Sequence, residues 1–250
     1  MKIHLLSDLH IEICGFFSIE DTGADVIVLA GDIHTGINGI RWAIEEAQRL
    51  KTPIIYVAGN HEYYKHEYYS TLQNMRSEAL SSDLVHFLEN DEIEIDGVRF
   101  LGATLWTDYQ VSDETQELCM QVCNHLINDH RLIRVKDELF STKHALKMHQ
   151  ESLKWLYKKI VSPFSGQTVV ITHHGPCKHS AHPEYGLNVL SGAFISDLDN
   201  LVKEADLWLY GHTHSSVDVK IGTCRLVSNQ RGYPREQIPG GFDKTKVIEI

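Results

Sequence analysis

Long hydrophobic runs are the first thing missing from this 250-residue chain. No apolar stretch approaches the roughly 20 residues that cross a bilayer, so no membrane span is expected. Cysteine is sparse and odd in number: Cys14, Cys119, Cys123, Cys177 and Cys224 lie scattered, which is no disulfide framework and suits a reducing compartment. Cys119 and Cys123 find no partner ligands for a thiol metal site and read as small buried residues of a helix. Positive charge is also short. The formal net charge is −11, and without excess Lys and Arg a chain cannot neutralise a nucleic-acid backbone, so nucleic-acid binding is not expected. Lys2 leads straight into a short strand and Asp8, so no secretory leader is expected and a cytoplasmic location is. With no linker, repeat or low-complexity tract, residues 1–250 are expected to form a single domain.

What is present is a repeated device. Val26-Ile27-Val28-Leu29-Ala30 is too short and too uniformly apolar for anything but a strand buried on both faces, and it stops at Gly31-Asp32. Four other short apolar runs end in the same way. Residues 4–6 run into Asp8 and His10, residues 54–58 into Gly59-Asn60-His61-Glu62, residues 169–171 into His173-His174, and residues 207–210 into Gly211-His212-Thr213-His214. Polar residues at strand ends are often only caps and turns. Five strands each delivering Asp, Asn or His at one end, however, point to one converging site.

The remaining pattern mixes crossovers with antiparallel pairs. Ile40, Ala43, Ile44, Ala47 and Leu50 recur at helical spacing, predicting a helix over 38–50 between two strands, the mark of a parallel sheet. Further helices are expected at about 66–80 and 114–126, and from Ser141 through Ile160. Residues 92–101 alternate around Asp96-Gly97, a hairpin signal. Residues 128–134 read as a loop, 175–195 as a long functional loop, and a short helix is expected from about Ser196. Residues 217–220, 224–227 and 246–250 read as closing antiparallel strands. The expected fold class is α/β, with two sheets packed face to face and helices outside.

Asp8, His10, Asp32, Asn60, His173, His212 and His214 form a mixed oxygen and nitrogen set, which suits manganese, iron or zinc better than calcium. Seven donors exceed one transition ion and fit two divalent or trivalent ions sharing a carboxylate. Ions so bridged lie roughly 3.5–4 Å apart, clamp the attacking and leaving oxygens of an in-line displacement and activate water, a hydrolytic pattern. The acidic balance does not forbid a small phosphorylated substrate, since two such ions make a site locally positive.

The series Asp8-x-His10, Gly31-Asp32, Gly59-Asn60-His61-Glu62, His173 and Gly211-His212-x-His214 resembles the calcineurin-like metallophosphoesterase family, with all five motifs in the family's order. The resemblance implies a four-layer α/β/β/α sandwich with two mixed β-sheets. It implies that Asp8, His10 and His214 hold one ion, that Asn60, His173 and His212 hold the other, and that Asp32 bridges them. His61 would protonate the leaving oxygen, and a hydroxide held by the ions would attack a phosphomono- or phosphodiester. The family's Ser/Thr protein phosphatases carry an Asp three residues after the bridging Asp, followed by Arg, and another Arg before Gly-Asn-His. Thr35, Gly36 and Ala58 stand at those positions, which removes a phosphate grip and leaves His61 without its usual partner. His34 or another loop is expected to supply that partner.

Candidate substrate contacts are Asp108 and Trp106 beyond a strand, Arg131 and Arg134, and His179 and His182 in the long loop; a turn, a packed core and solvated loops explain the same residues. The tyrosine pairs at 63–64 and 68–69 read either as cleft walls or as core. Glu62 is expected to orient its surroundings. Two other functions share these motifs: a nuclease, which the missing basic stripe disfavours, and a scaffold like the family's retromer subunit, which would not need the full ligand set retained here.

Overall fold

In the computed structural model, which describes residues 1–250, the five runs expected to carry ligands are all short strands, and parallel pairing sets their ends side by side. The chain runs β1 (Lys2–Leu6), α1 (Ile11–Cys14), β2 (Val26–Ala30), α2 (Asn38–Leu50), β3 (Ile54–Val57), α3 (Tyr68–Ala79), β4 (Val85–Phe87), β5 (Asp91–Ile95) and β6 (Val98–Ala103). It continues through α4 (Gln116–Leu126), α5 (Asp129–Leu132), β7 (Arg134–Val135), β8 (Glu138–Leu139), α6 (Thr142–Ile160) and β9 (Thr168–Thr172). The last elements are α7 (Asp199–Val202), β10 (Leu207–Tyr210), β11 (Asp218–Ile221), β12 (Cys224–Ser228) and β13 (Val247–Glu249).

One sheet has the order β13-β1-β2-β3-β4 and the other β11-β12-β10-β9-β6-β5. Both are mixed. In the first, β1 to β4 run parallel and β13 pairs antiparallel with β1. In the second, β6, β9, β10 and β12 run parallel, with β5 and β11 antiparallel at the edges. The closing segment is therefore only partly antiparallel, because β12 also pairs parallel with β10.

Side chains alternate across each strand, and the alternation builds the layers. Val26, Val28 and Ala30 pack between the sheets against Phe100, Val169, Ile171 and Leu209. Ile27 and Leu29 face the other way, onto Ile40, Ala43 and Ala47 of α2 and Met75 of α3. On the far side, Val170 and Trp208 pack under Leu156 and Ile160 of α6 and Leu201 of α7. The result is helices, sheet, sheet, helices, the expected α/β fold with two mixed sheets. No helix is long and apolar enough to cross a membrane.

Most local expectations match. Asp96 and Gly97 take φ of 49° and 77°, both positive as a two-residue hairpin turn between β5 and β6 requires. Residues 128–134, expected as a loop, instead hold the single helical turn α5 and the start of the β7–β8 pair. The short helix expected from Ser196 begins at Asp199. Trp106 is core: it packs on Tyr63, Tyr68, Phe140 and His174.

Candidate metal centre

Each turn that carries an expected ligand begins where a strand stops, and the backbone there is unusual. Asp8, His10, Asp32, His212 and His214 have φ of 52°, 43°, 55°, 71° and 48°, in the left-handed region that L-residues enter at a cost. The turns also pass very close together. A Cβ at Gly31 would overlap the His173 ring, and one at Gly59 would overlap the Asp32 carboxylate, so only glycine lets these turns meet.

Glu62 fastens the arrangement. Its carboxylate, fully buried, accepts the backbone N–H groups of Asp32 (3.1 Å), Ile33 (2.9 Å) and Gly59 (2.7 Å) and the Tyr56 hydroxyl (2.7 Å). Burial and the charge of Asp32 push the Glu62 pKa up. Asp8 is held likewise, accepting the His212 N–H at 3.0 and 3.1 Å.

The seven expected donors form two groups about Asp32. On one side, Asp32 Oδ1 lies 3.3 Å from His173 Nε2, which is 3.0 Å from Asn60 Oδ1 and 3.1 Å from His212 Nδ1. On the other, Asp32 Oδ2 lies 3.8 Å from His10 Nε2, which is 3.2 Å from His214 Nε2. His214 Nε2 is in turn 3.6 Å from Asp8 Oδ1.

Tautomers decide whether this set suits cations. His173 Nδ1 donates to the Ala30 carbonyl at 2.9 Å, and Asn60 Nδ2 donates to Asp129 Oδ1 (2.8 Å) and to the Tyr64 hydroxyl (3.0 Å). His173 Nε2 and Asn60 Oδ1 therefore aim inward. His214 Nδ1 is fixed by Glu236 at 2.7 Å, which turns Nε2 inward too. Such outer partners are what metal-ligating imidazoles require. Burial opposes a proton on His173, yet the charge of Asp32 overrides it and raises the pKa to about 10. His212 beside it is shifted the other way, lowered by burial and by His174 and His173, and the Asp8-His10-His214 and Asp32-His173-His212 groups both have metal-ligand spacing.

His61 lies beside this cluster, its Nε2 3.9 Å from Asp32 Oδ2. Its Nδ1 is 2.9 Å from Glu12 Oε1 on α1, and its Nε2 is 2.9 Å from the Tyr233 hydroxyl. The partner carboxylate is thus Glu12, not His34. Burial works against ionising Glu12, but contacts with His10 and His61 win and bring its pKa down to about 2. For His61, burial is outweighed by Asp32 and Glu12, and the pKa rises to about 9. His174 is different: burial and the neighbouring His173 lower it to about 3, and its Nδ1 is spent on the Thr104 carbonyl.

A cleft of about 480 Å³ opens onto Asp32, Asn60, His61, His212 and His214. Of the proposed substrate contacts, His182 lines it. Asp108, Arg131 and His179 do not: Asp108 caps the Gln110 N–H, and Arg131 is exposed and bonds the His125 carbonyl. Arg134 bonds the Asp137 carbonyl in the β7–β8 turn. Tyr64 lines the cleft, whereas Tyr63 and Tyr68 stack together in the core. Glu12, Asp129, Tyr233 and Glu236 were not singled out from the sequence. Glu12 alone carried a signal, as an acidic residue within one turn of the Asp8-x-His10 motif.

Two mixed sheets in an α/β/β/α sandwich, with His/Asp clusters at the strand ends, define a metallohydrolase architecture. The sequence profile of the calcineurin-like phosphoesterases matches residues 1–216, and the chain belongs to that family, whose members typically bind two metal ions. A 26% identical relative, an uncharacterized protein of Acanthamoeba polyphaga mimivirus, matches over 99% of this chain and 96% of its own length. Among solved structures, the phosphopantetheinyl hydrolase of Mycobacterium tuberculosis shares the fold, with a TM-score of 0.75 at 17% identity, covering 94% of this chain and 90% of that one. A dimetal phosphatase from Danio rerio is more distant, with a TM-score of 0.48 at 14% identity, over 92% and 87%.

Proposed function

We propose that the protein is a metal-dependent phosphoesterase that hydrolyses a small phosphorylated substrate. The observation that supports this reading is the division of donors about one carboxylate. Asp8, His10 and His214 would hold one ion, Asn60, His173 and His212 the other, and Asp32 would serve both. When bound, such ions supply Lewis acidity and a nucleophile at neutral pH; manganese and iron fit the donor set best, and zinc next.

The chain's own residues do the rest. Glu12 holds the His61 ring by Nδ1, so that Nε2 points into the cleft and can give a proton to a departing oxygen. Asp129 and Tyr64 orient Asn60, and Glu236 orients His214. Residues 1–250 act as one domain in this proposal, since the outer partners Tyr233 and Glu236 come from beyond the profile match. The five free thiols suit a cytoplasmic setting.

Metal-stripped protein reloaded with manganese, iron or zinc is the test, with bound metal counted and turnover measured on aryl phosphate mono- and diesters and on a phosphopantetheinyl ester. Metal-dependent turnover is expected. Protein that takes up two ions and turns over none of these esters would refute the proposal.

Glu12→Gln tests the proton donor. It is expected to lower turnover about 100-fold on esters with alkyl leaving groups. With p-nitrophenolate, which leaves without protonation, the loss should be within about threefold of none. Equal losses on both leaving groups would show that Glu12 supports structure only.

A further inference from the structure

The cleft is lopsided in its chemistry. Neither lysine nor arginine lines it, and Asp129 and Glu236 line it together with the donor cluster. Leu126, Ile127, Leu190, Phe194 and Ile195 also line it and give it an apolar wall. That wall starts against the donors, because the Phe194 ring stacks on His212 with centroids 4.9 Å apart and planes 26° from parallel. It continues to the mouth, where Leu126 is 56% and Tyr185 70% exposed.

Charge and shape then select among phosphoesters. A phosphomonoester carries close to two negative charges at neutral pH. His61 and bound ions would answer part of that charge, but no lysine or arginine answers the part turned toward Asp129 and Glu236, which disfavours a second negative charge. A phosphodiester carries one negative charge, and its second ester arm needs a surface to lie on. An apolar arm gains from leaving water, whereas a sugar or a charged arm would lose hydrogen bonds against leucine and phenylalanine.

We infer that the substrate is a phosphodiester monoanion with an apolar second ester arm, and that Leu126, Ile127, Leu190 and Phe194 are the residues that select this arm. The inference rests on the phosphoesterase reading and deepens it. Each further methylene on the arm is expected to raise kcat/KM by about threefold until the wall is covered.

The experiment compares p-nitrophenyl phosphate with its methyl and hexyl diesters on manganese-loaded protein. Hexyl is expected to exceed methyl in kcat/KM by at least about 10-fold, and both to exceed the monoester. Leu126→Asp, at a half-exposed position where folding is not at stake, and Leu190→Ala should each lower the hexyl-to-methyl ratio. Calorimetry supplies a readout independent of turnover: dihexyl phosphate is expected to bind more tightly than diethyl phosphate, and Leu126→Asp to shrink the difference. Turnover that favours the monoester, or that ignores arm length, would overturn the inference and leave the phosphoesterase reading standing. Turnover of no ester, with dihexyl and diethyl phosphate binding equally, would overturn both.

Discussion

Asp32→Asn is expected to lower phosphoester turnover by on the order of 1000-fold or more and to cost the protein at least one bound ion. The argument is local. Asp32 Oδ1 faces His173 and Oδ2 faces His10, so its two oxygens are turned to the two donor groups. Asparagine is the informative substitution because, among side chains other than glycine, it tolerates the φ of 55° at this turn. It also retains an oxygen to accept the His61 N–H, now received by Oδ1 at 2.9 Å. What changes is a charge and one lone-pair oxygen, which becomes an amide nitrogen. Metal counting beside circular dichroism separates lost ligation from lost folding. An Asp32→Asn protein that keeps two ions and full activity would refute the shared carboxylate.

Glu62→Ala should unfold the protein far more readily, by about 3–5 kcal/mol, and reduce activity with it. Three buried backbone N–H groups and the Tyr56 hydroxyl converge on this carboxylate, and its removal leaves them without acceptors in a place water does not reach. Glu62→Gln should fare little better. Oε2 accepts from both Asp32 N and Gly59 N, and an amide nitrogen there would point donors at donors. Urea unfolding gives the difference directly. A loss below about 1 kcal/mol for Glu62→Ala would mean that the turns at residues 31 and 59 hold themselves.

The convergence of the candidate donors was legible because each sits within a few residues of a strand end, and strand ends show in the sequence as short apolar runs. Asp32 follows Val26–Ala30 so closely that the run fixes its place. The helix over 38–50 and the Asp96-Gly97 hairpin were legible for the same reason: spacing and turn chemistry are local. The partners of the donors were not. Asp129 stands 69 residues from Asn60, and Glu236 stands 22 residues past His214 in a stretch with no periodicity. Their roles exist only once the sheets pack. Arg131 and Arg134 attracted attention as replacements for missing arginines, but local hydrogen bonds hold both guanidinium groups at the surface.

The left-handed turns at Asp8, His10, Asp32, His212 and His214 set a limit on how this protein can be improved. Anyone seeking a hardier variant would begin by placing glycine at such positions, where it relieves the backbone at little cost. Here each of those replacements would delete a proposed donor. Backbone relief must be sought at left-handed residues that carry no expected donor, such as Lys51 at the end of α2 and Asp96 in the hairpin.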